Sequence, residues 1–260
     1  MRIRAVLPKS PAGWLSAVCM CVVLLVAFAM LDGMACARYK AWSAGSEAVS
    51  SDRLYQPAAL MDSKLCTADG ACTSAVLVEG LLSTDTLVKI EERARRALPG
   101  MLTACFNSPG GSYQAASLAG ALPANLRTCV ADLVARPGAQ PYHALCASAC
   151  AWTWMAGSER VIYGANSVGF HAPYEYDAPA CVPGNRLKGL VAAAIDWVRD
   201  RDEPRYHERV RAARTELRLA SLSRGPTEVL PLGADRAVGL GLQRAREPAA
   251  TFYVDPGVRR

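Results

Sequence analysis

Between Thr73 and Ala121 the chain runs apolar segment, amphipathic segment, apolar segment, glycine turn, helical segment, and few folds accept that order. Thr73-Ser-Ala-Val-Leu-Val-Glu-Gly80 has the length of a short buried strand. Ser83 stands where an N-cap belongs, ahead of a helix predicted over 84–97. That helix puts Leu87, Ile90 and Ala94 on one face and Lys89, Arg93 and Arg96 elsewhere. Pro99-Gly100 ends it. Met101-Leu-Thr-Ala-Cys-Phe106 reads as a second strand running straight into Asn107-Ser-Pro-Gly-Gly111, and Ser112 is placed to cap a helix over 113–121. Strands alternating with helices call for an α/β fold with a largely parallel sheet.

Further along, 127–133 reads as a strand or the end of a helical region, and Pro137-Gly-Ala-Gln-Pro141 breaks the chain. Tyr142-His-Ala-Leu-Cys146 is strand-like, and 147–156, small and apolar with Trp152 and Trp154, reads as a buried helix. Arg160-Val-Ile-Tyr163 and Ser167-Val-Gly-Phe170 are two short strands around the Gly164-Ala-Asn turn. An amphipathic helix over 187–199 and a charged one over 205–219 follow. The Arg/Glu mix of the second suits a solvated face with i,i+4 pairs. Residues 230–242 form a last compact piece.

Three segments carry chemistry: Asn107-Ser-Pro-Gly-Gly-Ser112, Cys146-Ala-Ser-Ala-Cys150, and the run ending in His171-Ala-Pro173. Taken singly each has a plain structural reading. His207 is a solvated helix residue and His143 an ordinary core histidine. Ser148 is small packing where a helix starts, and Cys-Ala-Ser-Ala-Cys is not the G-x-S-x-G elbow of the α/β-hydrolases. Together they supply a hydroxyl, an imidazole and a turn offering backbone N–H groups, the parts that acyl transfer to serine requires.

Their order and spacing are more specific than any one of them. Asn107-Ser-Pro-Gly-Gly-Ser112, Ala147-Ser-Ala149, Ala156-Gly157 with Arg160, Ala165-Asn-Ser167 and His171-Ala-Pro173 resemble the proteolytic subunit of the Clp protease, within the wider Clp/crotonase fold. The likeness is closer still to the predicted periplasmic, membrane-attached relatives of that family, and covers about residues 75–242. It implies a Clp/crotonase-like spiral of β-β-α units, with Ser148 as nucleophile and His171 as general base. Gly110, Gly111 and the N–H of Ala149 would form the oxyanion hole, without metal or cofactor. The physics of those roles is consistent, since imidazole titrates near neutral pH and a helix start presents free N–H groups to developing negative charge.

The third member of the triad departs from the pattern. Thr227 holds the aligned place and Glu228 stands next to it; Glu228 is the first candidate, ahead of Thr227, Asp235 and Asp177. The Clp subunit has no cysteines beside its serine, whereas Cys146 and Cys150 flank Ser148. No docking loop for an ATPase is visible, so regulation by an unfoldase is not implied. A silent binding or assembly protein on the same fold is the main rival reading, because fold does not fix function. An enzyme acting on acyl-thioesters is the lesser one.

The N-terminus sets the compartment. No charged residue occurs from Ser10 to Leu31, and roughly 20 apolar residues suffice to cross a bilayer as a helix. Ala35-Cys36-Ala37 also reads as a cleavage site, so a signal segment and an anchor both fit, with the length of the run favouring the anchor. A lipid-modified Cys36 fits less well. Arg2, Arg4 and Lys9 ahead of the run favour a cytoplasmic N-terminus and an exported body. Of ten cysteines, Cys19 and Cys21 lie within the run. The even remainder (Cys36, Cys66, Cys72, Cys105, Cys129, Cys146, Cys150 and Cys181) suits disulfides in an oxidising compartment. A local Cys66–Cys72 bridge is plausible, while zinc on Cys146, Cys150 and His143 lacks paired C-x-x-C spacing.

The organisation expected is an anchor or signal segment over 1–37, a stalk and irregular lead-in over 38–72, the Clp/crotonase-like domain over 73–243 and a tail over 244–260. Of the formal net charge of +6, residues 1–37 carry +2, and the body's remaining +4 is spread out and does not imply nucleic acid. The partners implied are a peptide or protein substrate, a membrane through the N-terminal helix, and further copies of the chain as a homo-oligomer.

Overall fold

The computed structural model describes residues 54–134, 140–171, 208–224 and 229–254. Strand β1 (Ala59–Thr67) and strand β2 (Cys72–Glu79) form an antiparallel hairpin in register from Ala59 opposite Glu79 to Cys66 opposite Cys72. Helix α1 (Thr84–Arg96) starts at Ser83, whose hydroxyl accepts from the Thr86 N–H while the Thr86 hydroxyl accepts from the Ser83 N–H. This reciprocal cap satisfies two of the donors that a helix start leaves unpaired. Its inner face buries Leu87, Ile90 and Ala94. Burial of the two large side chains contributes about 1.5–3 kcal/mol each.

Strand β3 (Leu102–Asn107) lies parallel to β2, and strand β4 (Leu126–Val130) parallel to β3. Between them come helix α2 (Tyr113–Leu118), capped by the Ser112 hydroxyl, and a short 3-10 turn. Strand β5 (Asp132–Val134) follows, then helix α3 (Ala149–Met155), strand β6 (Glu159–Ile162) and strand β7 (Ser167–Phe170). Helix α4 (Glu208–Arg224), strand β8 (Leu230–Gly233), helix α5 (Ala234–Gly239) and strand β9 (Ala250–Val254) complete the described elements.

The fold is mixed α/β. One seven-stranded sheet runs β5-β9-β1-β2-β3-β4-β6, with β2, β3, β4 and β6 parallel, and β7 pairs with β8 in a separate antiparallel ribbon. Leu77, Phe106, Leu126, Trp154, Ile162 and Phe252 are wholly buried between the sheet and its helices.

Two expectations about the ends of the domain change. The supposed irregular lead-in contains β1, hydrogen-bonded on both sides, to β2 and to β9. Its sequence hides this, because Asp62 and Lys64 interrupt the apolar pattern and the strand is made by its neighbours. The supposed tail contains β9, whose Phe252 is wholly buried between β1 and β5. The 127–133 segment resolves into strands, and Tyr142–Cys146 makes isolated bridges instead of a strand of its own. The charged helix over 205–219 corresponds to α4, but its face is not wholly solvated: Arg214 is buried, and the guanidinium groups of Arg214 and Arg218 lie 5.7 and 5.2 Å from the centre of the Trp152 ring. The apolar N-terminal run and the helix over 187–199 lie outside the described residues. Among the described residues no helix is long and apolar enough to cross a membrane.

Three cysteine pairs stand at disulfide distance: Cys66–Cys72 at the β1–β2 hairpin, Cys105–Cys129 between neighbouring positions of β3 and β4, and Cys146–Cys150.

Candidate active site

The chain reaches α3 through a short extended segment threaded between two others. On one side Ser108 N–H donates to Leu145 O (2.5 Å) and Ala147 N–H to Ser108 O (3.1 Å). On the other, Gly169 N–H donates to Cys146 O and Ser148 N–H to Gly169 O, both at 2.8 Å. The glycine turn after β3, the serine segment and β7 are thereby held side by side, and the three chemistry-bearing stretches meet.

Two buried asparagines fasten the approach. Asn166 Oδ1 accepts from Ala144 N–H and Asn107 Oδ1 from Leu145 N–H, each at 3.0 Å. Their amide nitrogens are committed as well: Asn107 Nδ2 donates to Glu79 Oε1 (2.9 Å), and Asn166 Nδ2 to Tyr163 O and Asp132 Oδ1 (2.9 Å each). A two-residue stretch without a strand partner for these N–H groups is thus satisfied by side chains, as buried backbone must be. Neither asparagine stood out in the sequence as more than part of a turn. The available signal was a carboxamide at a strand boundary, Asn107 closing β3 and Asn166 directly ahead of β7.

Ser148 occupies the N-cap of α3 with φ 57° and ψ −124°, and among the described residues it alone combines a side chain with positive φ. The contrast with the other serine caps is informative. Ser83 and Ser112 have φ −126° and −68° and accept from their own helix starts, whereas the Ser148 hydroxyl makes no cap bond. The left-handed backbone turns the chain from strand to helix within one residue and aims the hydroxyl away from the helix N–H groups. A conformation costing roughly 1–3 kcal/mol persists only when its surroundings impose it.

Gly110 and Gly111 (φ 131° and 154°) shape the facing wall. Leu82 N–H donates to Gly110 O (2.8 Å) and Ser112 N–H to Leu82 O (2.9 Å), a parallel bridge that turns Gly111's own N–H away from Leu82. A side chain at Gly111 would run into the Leu82 backbone. Gly110 N–H donates to Ser108 Oγ (3.1 Å), so of the three expected oxyanion donors this one is already engaged. Among the described residues the N–H groups of Gly111 and of Ala149, first residue of α3, have no hydrogen-bond acceptor.

His171 directly follows β7 and is 6% exposed. Phe170, its neighbour, packs edge-on against Trp152 of α3 with ring centres 4.9 Å apart, which ties the end of β7 to the helix that Ser148 opens. β8 begins at Leu230, opposite Phe170. Glu228, Thr227 and Asp177 lie outside the described residues, as does His207. Asp235 sits on α5 with its carboxylate 79% exposed and paired with Arg246 at 3.3 Å.

His143 is not a core residue. It is exposed, and its Nδ1 lies 2.8 Å from Asp132 Oδ1. Zinc on Cys146, Cys150 and His143 does not fit, because the two sulfurs pair with each other; among the described residues no cluster of three metal-ligating side chains occurs.

No protein-family model matches the chain, and no curated protein is similar to it in sequence. Among solved structures it is similar to an asparagine-to-aspartate mutant of ClpP1 from Listeria monocytogenes, with 12% identity, a TM-score of 0.41, and coverage of 71% of this chain and 93% of that one. At that level the likeness assigns no residue a role.

Proposed function

We propose that this chain is a serine hydrolase of the Clp/crotonase type, most specifically a peptidase, that works through an acyl-enzyme on Ser148. The observation that carries the reading is the turn at Ser148. A strained, left-handed serine whose hydroxyl leaves its own helix uncapped stands beside a glycine turn, with N–H groups of Gly111 and Ala149 unclaimed among the described residues. Local strain of this kind collects at functional sites.

In the proposed reaction His171 takes the Ser148 proton as the oxygen attacks a carbonyl carbon, then returns it to the leaving group as the acyl-enzyme forms. Gly111 and Ala149 donate to the oxyanion, each donor being worth about 3–4 kcal/mol in reactions of this type. Gly110 supplies close approach, its N–H remaining with Ser108 Oγ. Glu228 is the candidate acceptor for the His171 Nδ1 proton. The superhelical β-β-α arrangement, homo-oligomerisation and a body held outside the cytoplasm by an N-terminal helix belong to the same proposal and rest on the sequence resemblance and the uncharged run from Ser10 to Leu31.

A fluorophosphonate probe tests it. The full chain should be labelled at Ser148, and Ser148→Ala should fold normally without labelling. A wild-type chain that is folded and unlabelled points instead to a silent binding protein. Protease added to spheroplasts should digest the body; full protection there would refute the exported topology.

A further inference from the structure

Cys146 and Cys150 close a small ring across Ser148, joining the extended segment to the first turn of α3 (Cα–Cα 5.2 Å). Both are buried, at 1% and 0% exposure, yet the residue between them is partly exposed and carries the strained backbone. The backbone on either side is already fixed. Cys146 O and Ser148 N–H are bonded to Gly169, and Cys150 N–H donates to Ala147 O at 3.0 Å. The Cys150–Ala147 hydrogen bond crosses the reversal from helix side to strand side, and the sulfur bridge is the covalent connection that crosses it.

Resting on the hydrolase reading, we infer that Cys146 and Cys150 are positioning residues for Ser148: their bond locks the left-handed turn and holds the hydroxyl clear of the helix start. An isolated serine at this place has an alternative. With extended φ it would cap α3, as Ser83 and Ser112 cap α1 and α2, and its hydroxyl would turn towards the N–H groups of its own helix. That rearrangement relieves strain and consumes the nucleophile. Moving to it swings the residues at 146 and 150 relative to one another, which a five-residue covalent ring resists. The bridge therefore selects the reactive arrangement over a more comfortable, unreactive one. The Cys66–Cys72 pair closes a ring of similar size at a hairpin and has no such residue to hold, so it serves as the internal control.

The test uses the full-length chain carrying Cys146→Ala and Cys150→Ala together, beside Cys66→Ala with Cys72→Ala. The first pair should lower the maximal rate of fluorophosphonate labelling by about tenfold to a hundredfold, the usual penalty for a misplaced reacting atom, with the half-saturating probe concentration unchanged. Hydrogen exchange should quicken at the Ser148 and Cys150 amides and not at those of β2. The hairpin pair should label at the wild-type rate. A folded Cys146→Ala/Cys150→Ala chain that labels within twofold of wild type overturns the inference and leaves the hydrolase reading standing. A wild type that never labels overturns both. If the double variant does not fold, graded reduction of the wild type gives the same answer, with each bridge followed by mass spectrometry. Labelling should fall with loss of the Cys146–Cys150 bond, and undiminished labelling after that bond opens refutes the role.

Discussion

Gly110 lies face to face with Ser148: a methyl group at Gly110 would sit 2.8 Å from the Ser148 Cβ and 3.3 Å from its Oγ. Contact this close leaves no room for a side chain on the glycine turn, and its φ of 131° disfavours one anyway. Gly110→Ala should therefore push turn and serine apart and lower probe labelling by about a hundredfold. Gly70 gives the comparison, with φ 85° but open space around it. Gly70→Ala should cost about 1–2 kcal/mol of stability and leave labelling unchanged. Equal labelling by both variants would mean that the 110–148 contact is only structural.

Replacing Ser148 by glycine should stabilise the protein. Relief of roughly 1–3 kcal/mol of backbone strain outweighs the ~0.5–1 kcal/mol that glycine's extra freedom costs, and no cap bond is lost. The expected net gain is about 1 kcal/mol, within a span of about 0–2.5 kcal/mol, by urea denaturation, with labelling abolished. Ser83→Ala, which removes a real cap, should go the other way by about 1 kcal/mol. A Ser148→Gly chain less stable than wild type would contradict the strain argument.

Asn107→Ala strips the acceptor from the part-buried Leu145 N–H and the donor from Glu79. Asn166→Ala does the same to Ala144 and Asp132. Each should cost about 1–3 kcal/mol of stability and slow labelling, because both side chains hold the segment that delivers Ser148. Losses under 0.5 kcal/mol in denaturation would show that water replaces the amides without penalty.

A non-reducing digest should yield three linked peptide pairs, Cys66 with Cys72, Cys105 with Cys129, and Cys146 with Cys150. Any link from Cys146 or Cys150 to another cysteine would contradict the ring across Ser148.

The carboxylate behind His171 is open to direct trial with an activated ester. Glu228→Gln should lower turnover on the order of 10⁴-fold, the cost of losing a triad carboxylate. Asp235→Asn should change it less than about twofold, since that side chain is exposed and engaged with Arg246. Thr227→Val completes the set. A Glu228→Gln chain within about tenfold of wild type would leave Ser148 and His171 acting without it.

What the sequence determined by itself is local. The caps at Ser83 and Ser112, the inward face of α1 and the strands at Cys72–Glu79 and Leu102–Asn107 follow from propensity, period and side-chain chemistry within a few residues. That the glycine turn, the Ser148 segment and β7 lie side by side was expected from the resemblance that their order and spacing carry. Non-local pairing decided the rest. Ala59–Thr67 pairs along its length with β2 and, from Ser63 on, with Ala250–Val254, which also pairs with β5; the β1–β9 contact joins segments almost at opposite ends of the domain, which no local pattern records. His143 is exposed and faces the carboxylate of Asp132, a partner brought up by β5. The serine's positive φ, its unused cap and the ring of Cys146 and Cys150 around it arise only when Ser108 and Gly169 bind the segment from both sides. A backbone conformation that a single residue resists must be imposed by its neighbours in space, and those neighbours lie tens of residues away along the chain.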